Sequence, residues 1–337
     1  MSFTFIHTAD WQLGKPFGGM PDETAVLLRA ARLDAIDRIA AVATAAGAQH
    51  VLVAGDVFDT EKPPQRLIGQ TLARLAAHRD LTWHLLPGNH DPARPGSVWD
   101  DIARSKPAAN IRCHTAAEPQ LIKPDVLLLP APLNAKAMSH DPTAYMDQVA
   151  SPRGTLRIGM AHGSVRGFDS LGEASIPIEP TRAKTANLDY LALGDWHGYT
   201  PIDKRTFYSG THEPDGYKDN KPGHVLVVKI DAQGAEPEVR MVSTQQYTWR
   251  RLPLALTSTQ DFQHFAAQLA SDPAFGARLL LKLDITGRIP LAEFSDLQGQ
   301  HDALGAALAH LDADLTAIEM ATSADDLTAL ARSWRPR

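Results

Sequence analysis

The sequence predicts an α/β fold: a layered core flanked by helices, with a smaller α/β unit behind it. Three observations carry that expectation. Over the first two hundred residues, short apolar runs alternate with stretches of helical periodicity, the pattern of stacked sheet and helix layers. From Tyr208 the pattern changes to a hairpin, then to a strand, helix, strand, helix, strand order. The chain has 337 residues, 44% hydrophobic and 21% charged, which suits two soluble domains that each bury a core.

Strands are expected at residues 3–8, 50–54, 82–86, 126–130, 156–161 and 190–193, each a short apolar run bounded by turn residues. The clearest helix spans 22–46. Asp22 is its expected N-cap, Leu27, Leu28, Ala31, Ile36, Ile39 and Val42 recur at helical spacing, and Gly47 stops it. Further helices are expected over about 64–77 and 97–104. "HVLVVKID" and "PEVRMVS" around "AQGAE" form a hairpin that closes the first domain. Beyond "TWRRLPLAL" come helices at 259–270 and 291–311 and strands at 278–285 and 315–320. The domains are accordingly placed at 1–248 and 249–337.

Composition excludes several function classes. The single cysteine, Cys113, rules out an internal disulfide and a cysteine-rich zinc site, and is read as inert packing. No apolar run reaches the roughly 18–20 residues of a membrane helix. The N-terminus has neither a basic region nor a cleavage site, so no membrane association and a cytoplasmic location are expected. The net charge is −6, and residues 1–249 and 250–337 are each −3. A broad basic surface for polyanions is therefore absent, and any nucleic acid must be met in a local groove.

Five polar clusters follow directly on expected strands, where the loops of an α/β sheet converge on a site. They are "HTADWQLG" with Asp10 and Gln12, "AGDVFD" with Asp56 and Asp59, "PGNHD" with Asn89, His90 and Asp91, "AHGS" with His162, and "GDWHG" with Asp195 and His197. Each alone has an ordinary reading as a turn, a cap or a packed histidine. Together their oxygen and imidazole donors, without a thiolate, suit hard or borderline divalent ions such as Mn2+, Fe2+ or Mg2+. A central carboxylate, Asp56, could bridge two ions poised for in-line attack on phosphorus. His90, beside Asn89, is the candidate proton donor to the leaving oxygen, with Asp91 expected to orient its ring.

This order of clusters resembles the calcineurin-like metallophosphoesterase superfamily. Within it, "HTADWQLGKPF", "GDVFDT", "PGNHD" and "YSGTHEP" are similar to segments of SbcD-type nuclease subunits, which process broken DNA ends. The resemblance implies a layered β-sandwich core flanked by helices, with a small α/β capping domain. It also implies two divalent ions, Mn2+ ahead of Mg2+ or Fe2+. Asp10, Gln12, Asp56 and His197 would hold one ion, and Asp56, Asn89, His162 and Asp195 the other, with His90 as the acid. Asp59 would support the ligands rather than join them. Gln12 and Asp195 depart from the family, which usually has histidine at both places.

The implied function is a manganese-dependent exo- or endonuclease acting on single-stranded DNA or DNA ends. Its rivals are a small-molecule phosphoesterase of the same fold and a non-catalytic metal-binding subunit of a repair complex. Lys15, Lys62, Arg94 and Arg166 are candidates to line a phosphate groove, and Trp11, Trp99 and Trp196 to stack bases. The family also implies an SMC-like ATPase partner and a homodimer. Leu67, Ile68, Leu72 and Leu75 on the second helix would face either that dimer or the sheet.

Overall fold

The computed structural model describes residues 2–168 and 176–321. It divides into a larger unit, residues 1–215 and 219–245, and a smaller one, residues 216–218 and 246–337. The larger unit runs β1 (Phe3–Thr8), α1 (Asp22–Ala45), β2 (His50–Val53), α2 (Gln65–Ala77), β3 (Thr82–Leu85), α3 (Val98–Ser105), β4 (Ile111–Cys113), β5 (Gln120–Lys123) and β6 (Val126–Ala131). It continues through β7 (Leu156–His162), β8 (Ser164–Val165), β9 (Pro177–Ile178), α4 (Arg182–Thr185), β10 (Tyr190–Gly194), β11 (Thr200–Pro201), β12 (Thr206–Tyr208), β13 (His224–Ile230) and β14 (Glu238–Ser243).

These strands form two six-stranded sheets, ordered β14-β13-β1-β2-β3-β4 and β11-β12-β10-β7-β6-β5. In the first, β1 to β4 are parallel. In the second, β6, β7, β10 and β12 are parallel. Strand periodicity explains how the sheets stack. Phe5 and Leu52 point inward against Ile158, Met160, Tyr190 and Ala192 of the other sheet. Ile6, Val51 and Val53 point outward, where helix residues Ile36, Ile39, Ile68 and Leu75 cover them. Leu191 and Leu193 face the opposite outer layer, with Met146 and Ala183. The fold is thus mixed α/β, a sandwich of two sheets flanked by helices.

The smaller unit holds β15 (Thr248–Leu256), α5 (Thr259–Ala270), β16 (Leu279–Pro290), α6 (Phe294–Ala307), β17 (His310–Ala313) and β18 (Glu319–Ala321). Its strands run parallel about β16, and its own core includes Leu256, Phe262, Leu281, Leu283 and Leu297.

Three local expectations are corrected, and of the two faces open to the apolar residues of α2 the packing favours the sheet. Pro21, not Asp22, takes the N-cap of α1, and Asp22 lies in its first turn. Leu27 is 51% exposed, so it lies off the buried stripe of that helix. The helix expected to reach 311 ends at Ala307, because His310–Ala313 pairs with β16 as a strand. Leu67, Ile68, Leu72 and Leu75 all pack into the core beneath α2. Cys113 is half-buried, and burial pushes its thiol up to about 12, which keeps it protonated. No helix among the described residues is long and apolar enough to cross a membrane.

One feature of the first sheet had no signal in the sequence. His50, His84 and His114 form a stacked chain, with His50 Nδ1 3.0 Å from His84 Nε2 and His84 Nδ1 3.0 Å from His114 Nε2. Burial pushes His50 and His114 down to about 4, and His84 well below its ordinary value. Their folded pKa values lie under the unfolded value, so the unfolded chain binds more protons between about pH 4 and 6.5. Their contribution to stability is therefore complete above about pH 6.5 and is lost as the pH falls toward 4. Between pH 7 and pH 5, His50 and His114 should each account for roughly 2 kcal/mol of lost stability. Denaturant unfolding at the two pH values, in the natural protein and in His50→Asn with His114→Asn, checks this. Equal losses in both proteins would show that the stack is not responsible.

Candidate metal centre

The parallel strands of both sheets end on the same side, and the polar clusters sit at those ends. Asp10 and Gln12 follow β1, Asp56 follows β2, Asn89 and His90 follow β3, His162 ends β7, and Asp195 and His197 follow β10. Short backbone ladders continue past the strands. Asp10 N donates to Gly55 O at 3.1 Å, Gln12 N to Asp56 O at 2.8 Å, and Leu13 N to Val57 O at 3.0 Å.

The backbone is unusual where the candidate ligands lie. Asp10 (φ 52°), Gln12 (φ 38°), Asp56 (φ 53°) and Asp195 (φ 107°) all have positive φ. Such conformations cost on the order of 1–3 kcal/mol each for a residue with a side chain, and they persist where surrounding structure enforces them. The enforcement comes from close packing. A Cβ on Gly88 would sit 2.1 Å from Asp56 Oδ1, and one on Gly55 would sit 2.2 Å from His162 Nδ1. Glycine is required at both places so that the two loops can close on the ligands.

Asp10, Asp56 and His162 are buried, and each offers one donor atom within 4.8 Å of the others. His162 Nε2 is 3.5 Å from Asp56 Oδ1 and 3.9 Å from Asp195 Oδ1. His162 Nδ1 donates to Ala54 O at 3.0 Å, which leaves Nε2 facing the cluster. Asn89 Oδ1 is 2.9 Å from that nitrogen. The same oxygen lies 3.3 Å from both carboxylate oxygens of Asp56, so a turned amide would donate to all three acceptors. With its nitrogen inward Asn89 satisfies these acceptors without an ion, and a half-turn of the amide presents its oxygen, beside Asp56 and His162 Nε2, to a cation bound among them.

The electrostatics agree. Burial would lower His162, but Asp56, Asp10 and Asp195 together raise it to about 9. Burial is also the main reason that Asp10 is raised to about 6, that Asp195 is raised, and that Asp91 lies well above the usual carboxylate range. A divalent ion would replace the proton on His162 and relieve the crowded carboxylates. The donor set of Asp10, Asp56, Asn89, His162 and Asp195 fits such an ion.

The other expected ligands are placed differently. Gln12 turns its amide nitrogen, not its oxygen, toward Asp56 Oδ2 and His197 Nε2, each at 3.3 Å. His197 Nδ1 donates to Asp215 Oδ2 at 2.8 Å. Asp91 does not meet the His90 ring. Its oxygens accept from Gly88 N at 2.7 Å and Phe58 N at 3.0 Å, so it ties the two loops together. The His90 ring is oriented instead by the Asp59 carbonyl, which accepts from Nδ1 at 3.0 Å. Asp59 also brings its carboxylate to 3.8 Å from that nitrogen. His90 Nε2 lies 4.0 Å from Asp56 Oδ2, and its side chain is 43% exposed at the mouth of the site.

Two positioning residues escaped the sequence reading. Asp215, a few residues past the "YSG" turn, accepts from both His197 and Lys15. Arg32 on α1 is fully buried and donates to Trp11 O, Glu213 O and Asp10 O, each at 2.8 Å, and to Thr211 Oγ1 at 2.9 Å. It fixes the Asp10 loop from below. The expected stacking surfaces are also mostly internal. Trp11 and Trp99 are buried, and Trp196 packs edge-on against Phe168 at 5.5 Å. Lys15 is paired with Asp215 and Arg94 with Glu61, whereas Lys62 and Arg166 are exposed.

A family model described as calcineurin-like phosphoesterase matches residues 3–218. No curated protein matches the chain. Among solved structures, the crystal structure of TT1561 of Thermus thermophilus is similar at 11% identity and a TM-score of 0.45, over 72% of this chain and 100% of that one.

Proposed function

The chain belongs to the calcineurin-like phosphoesterase family, and from that premise we propose that it is a metal-dependent phosphodiesterase that cuts DNA, at single strands or at ends. Membership makes it a hydrolase of phosphoester bonds. The observation that carries the reading is the pairing of neighbours at the end of β3. The Asn89 amide reaches in among Asp56 and His162, where it can turn its oxygen to an ion, and His90 follows it at the open edge.

When bound, a divalent ion at these residues supplies Lewis acidity to a phosphoryl oxygen. Asp10, Asp56, Asn89, His162 and Asp195 would hold it, and their oxygen-rich character favours Mn2+. The remaining steps belong to the chain. Asp59 holds the His90 ring so that Nε2 looks into the mouth. From there a protonated Nε2 delivers its proton to the leaving oxygen. Asp91 keeps the loops that carry His90 and Asp56 in register.

The DNA substrate is supported by the likeness of "HTADWQLGKPF", "GDVFDT" and "PGNHD" to SbcD-type segments. An SMC-like ATPase partner, a homodimer and a cytoplasmic location belong to the same reading. A small phosphodiester is the second reading, favoured by the pairing of Lys15 and Arg94 with carboxylates rather than their presentation to a polyanion. The salt dependence of binding to a single-stranded oligonucleotide separates the two. The DNA reading expects log K to fall linearly with log salt, with a slope of about −0.7 per phosphate contacted. Hydrolysis of a small phosphodiester without measurable binding to the oligonucleotide would favour the second reading.

A further inference from the structure

We propose that this centre holds one divalent ion, on the side of Asn89 and His162, and that the Gln12 amide and the Lys15 ammonium take the place of a second. The proposal deepens the metal-dependent reading above and rests on it. Its first support is the orientation of Gln12. Lys15 Nζ lies 3.0 Å from Gln12 Oε1 and 2.8 Å from Asp215 Oδ2. An ammonium has only donors, so the amide atom that it meets must be the oxygen. The other end of the amide is then the nitrogen. Its protons point at Asp56 Oδ2 and His197 Nε2, two acceptors that an ion on this side would need.

The two amides of the site differ in what fixes them. Asn89 donates to Asp56 and His162 with its nitrogen inward, and among the described residues no ammonium fixes its amide, so it can turn its oxygen to an ion. Gln12 turns a nitrogen toward acceptors and satisfies them with its own protons. Lys15 locks that choice, because freeing Gln12 Oε1 would require the ammonium to leave Asp215 as well. Asp215 has a side chain only 15% exposed and holds His197 through the same oxygen. Among the described residues, Asp10, Asp56 and His162 offer donor atoms within 4.8 Å of one another. Asp195 and His197 both lie outside that group, but Asp195 Oδ1 comes to 3.9 Å from His162 Nε2, whereas His197 Nε2 faces the Gln12 amide nitrogen at 3.3 Å. The positive charge of Lys15 and the amide protons thus supply, on this side, what a second ion would supply to Asp56.

The experiment counts bound metal without reference to turnover. The natural full-length protein is stripped with chelator, loaded with Mn2+, desalted, and assayed by mass spectrometry of the metal and by electron paramagnetic resonance. One Mn2+ per chain is expected, with the spectrum of an isolated ion. The double change Gln12→His with Lys15→Met restores an imidazole and removes the ammonium. It should bind two ions per chain and show a spin-coupled pair. Two ions per chain in the natural protein would overturn the proposal. One ion in both proteins would overturn the assignment of the block to Gln12 and Lys15. No ion in the natural protein would instead sink the metal-dependent reading, a separate failure.

Discussion

His90→Asn should keep its metal and its fold and lose turnover by a factor on the order of 10²–10⁴, the usual loss when a positioned proton donor is removed. The geometry explains why metal and chemistry should separate here. The His90 ring is held through Nδ1 by the Asp59 carbonyl, and no hydrogen bond ties it to Asn89 or His162. Its backbone nitrogen donates to Asp56 Oδ1 at 2.9 Å, and that bond survives the change of side chain. Asparagine cannot carry a dissociable proton to a leaving oxygen. Metal analysis beside steady-state kinetics on a chromogenic phosphodiester checks both halves. Near-normal turnover with metal in place would remove His90 from the chemistry.

Asp56 is expected to be the more damaging site, because its carboxylate serves every neighbour. Oδ1 accepts from His90 N and lies 3.5 Å from His162 Nε2, while Oδ2 accepts from Gln12. Asp56→Ala should lose most bound metal, and with it several kcal/mol of transition-state stabilisation, a fall on the order of 10³-fold or more. Because Asp56 has φ 53°, alanine there also carries a backbone cost of roughly 1–2 kcal/mol. Asp56→Asn is the companion variant. Asparagine tolerates that conformation, so a metal loss in both variants belongs to the carboxylate. Asp59→Ala should be milder, since His90 uses the Asp59 carbonyl, which every residue has. Full metal binding in Asp56→Asn would contradict its place in the cluster.

Much of the architecture was legible because strand periodicity and loop chemistry are local signals. The strand at 3–8 and the helix over 259–270 stand where the pattern put them. The clusters of Asp10, Asp56, Asn89, His162 and Asp195 could be found because each ends a strand or follows one within a few residues. What the sequence hid was long-range. Arg32 reads as an ordinary helix charge, and only the fold brings Glu213, 181 residues away, to its guanidinium. Asp215 likewise gains meaning from Lys15, 200 residues distant. Asp91 beside His90 looked like its partner, yet the two side chains take different groups: Asp91 accepts from Gly88 N and Phe58 N, and His90 donates to the Asp59 carbonyl. Leu27 matched the helical stripe by its spacing, but only the packed core shows where that stripe ends. The direction of the Gln12 amide is also set from outside, by a lysine three residues on whose second partner lies across the chain.

Hydrolysis itself is the most direct test of a metal-dependent, DNA-cutting centre. Purified protein, stripped of metal and resupplied with Mn2+, is incubated with end-labelled single-stranded DNA, duplex DNA and a chromogenic phosphodiester, with Asp56→Asn run alongside. Mn2+-dependent cleavage of DNA and of the chromogenic ester is expected, abolished by chelator and by the Asp56 change. Cleavage that survives chelation, or hydrolysis of the small ester with both DNA substrates left intact, would contradict that function.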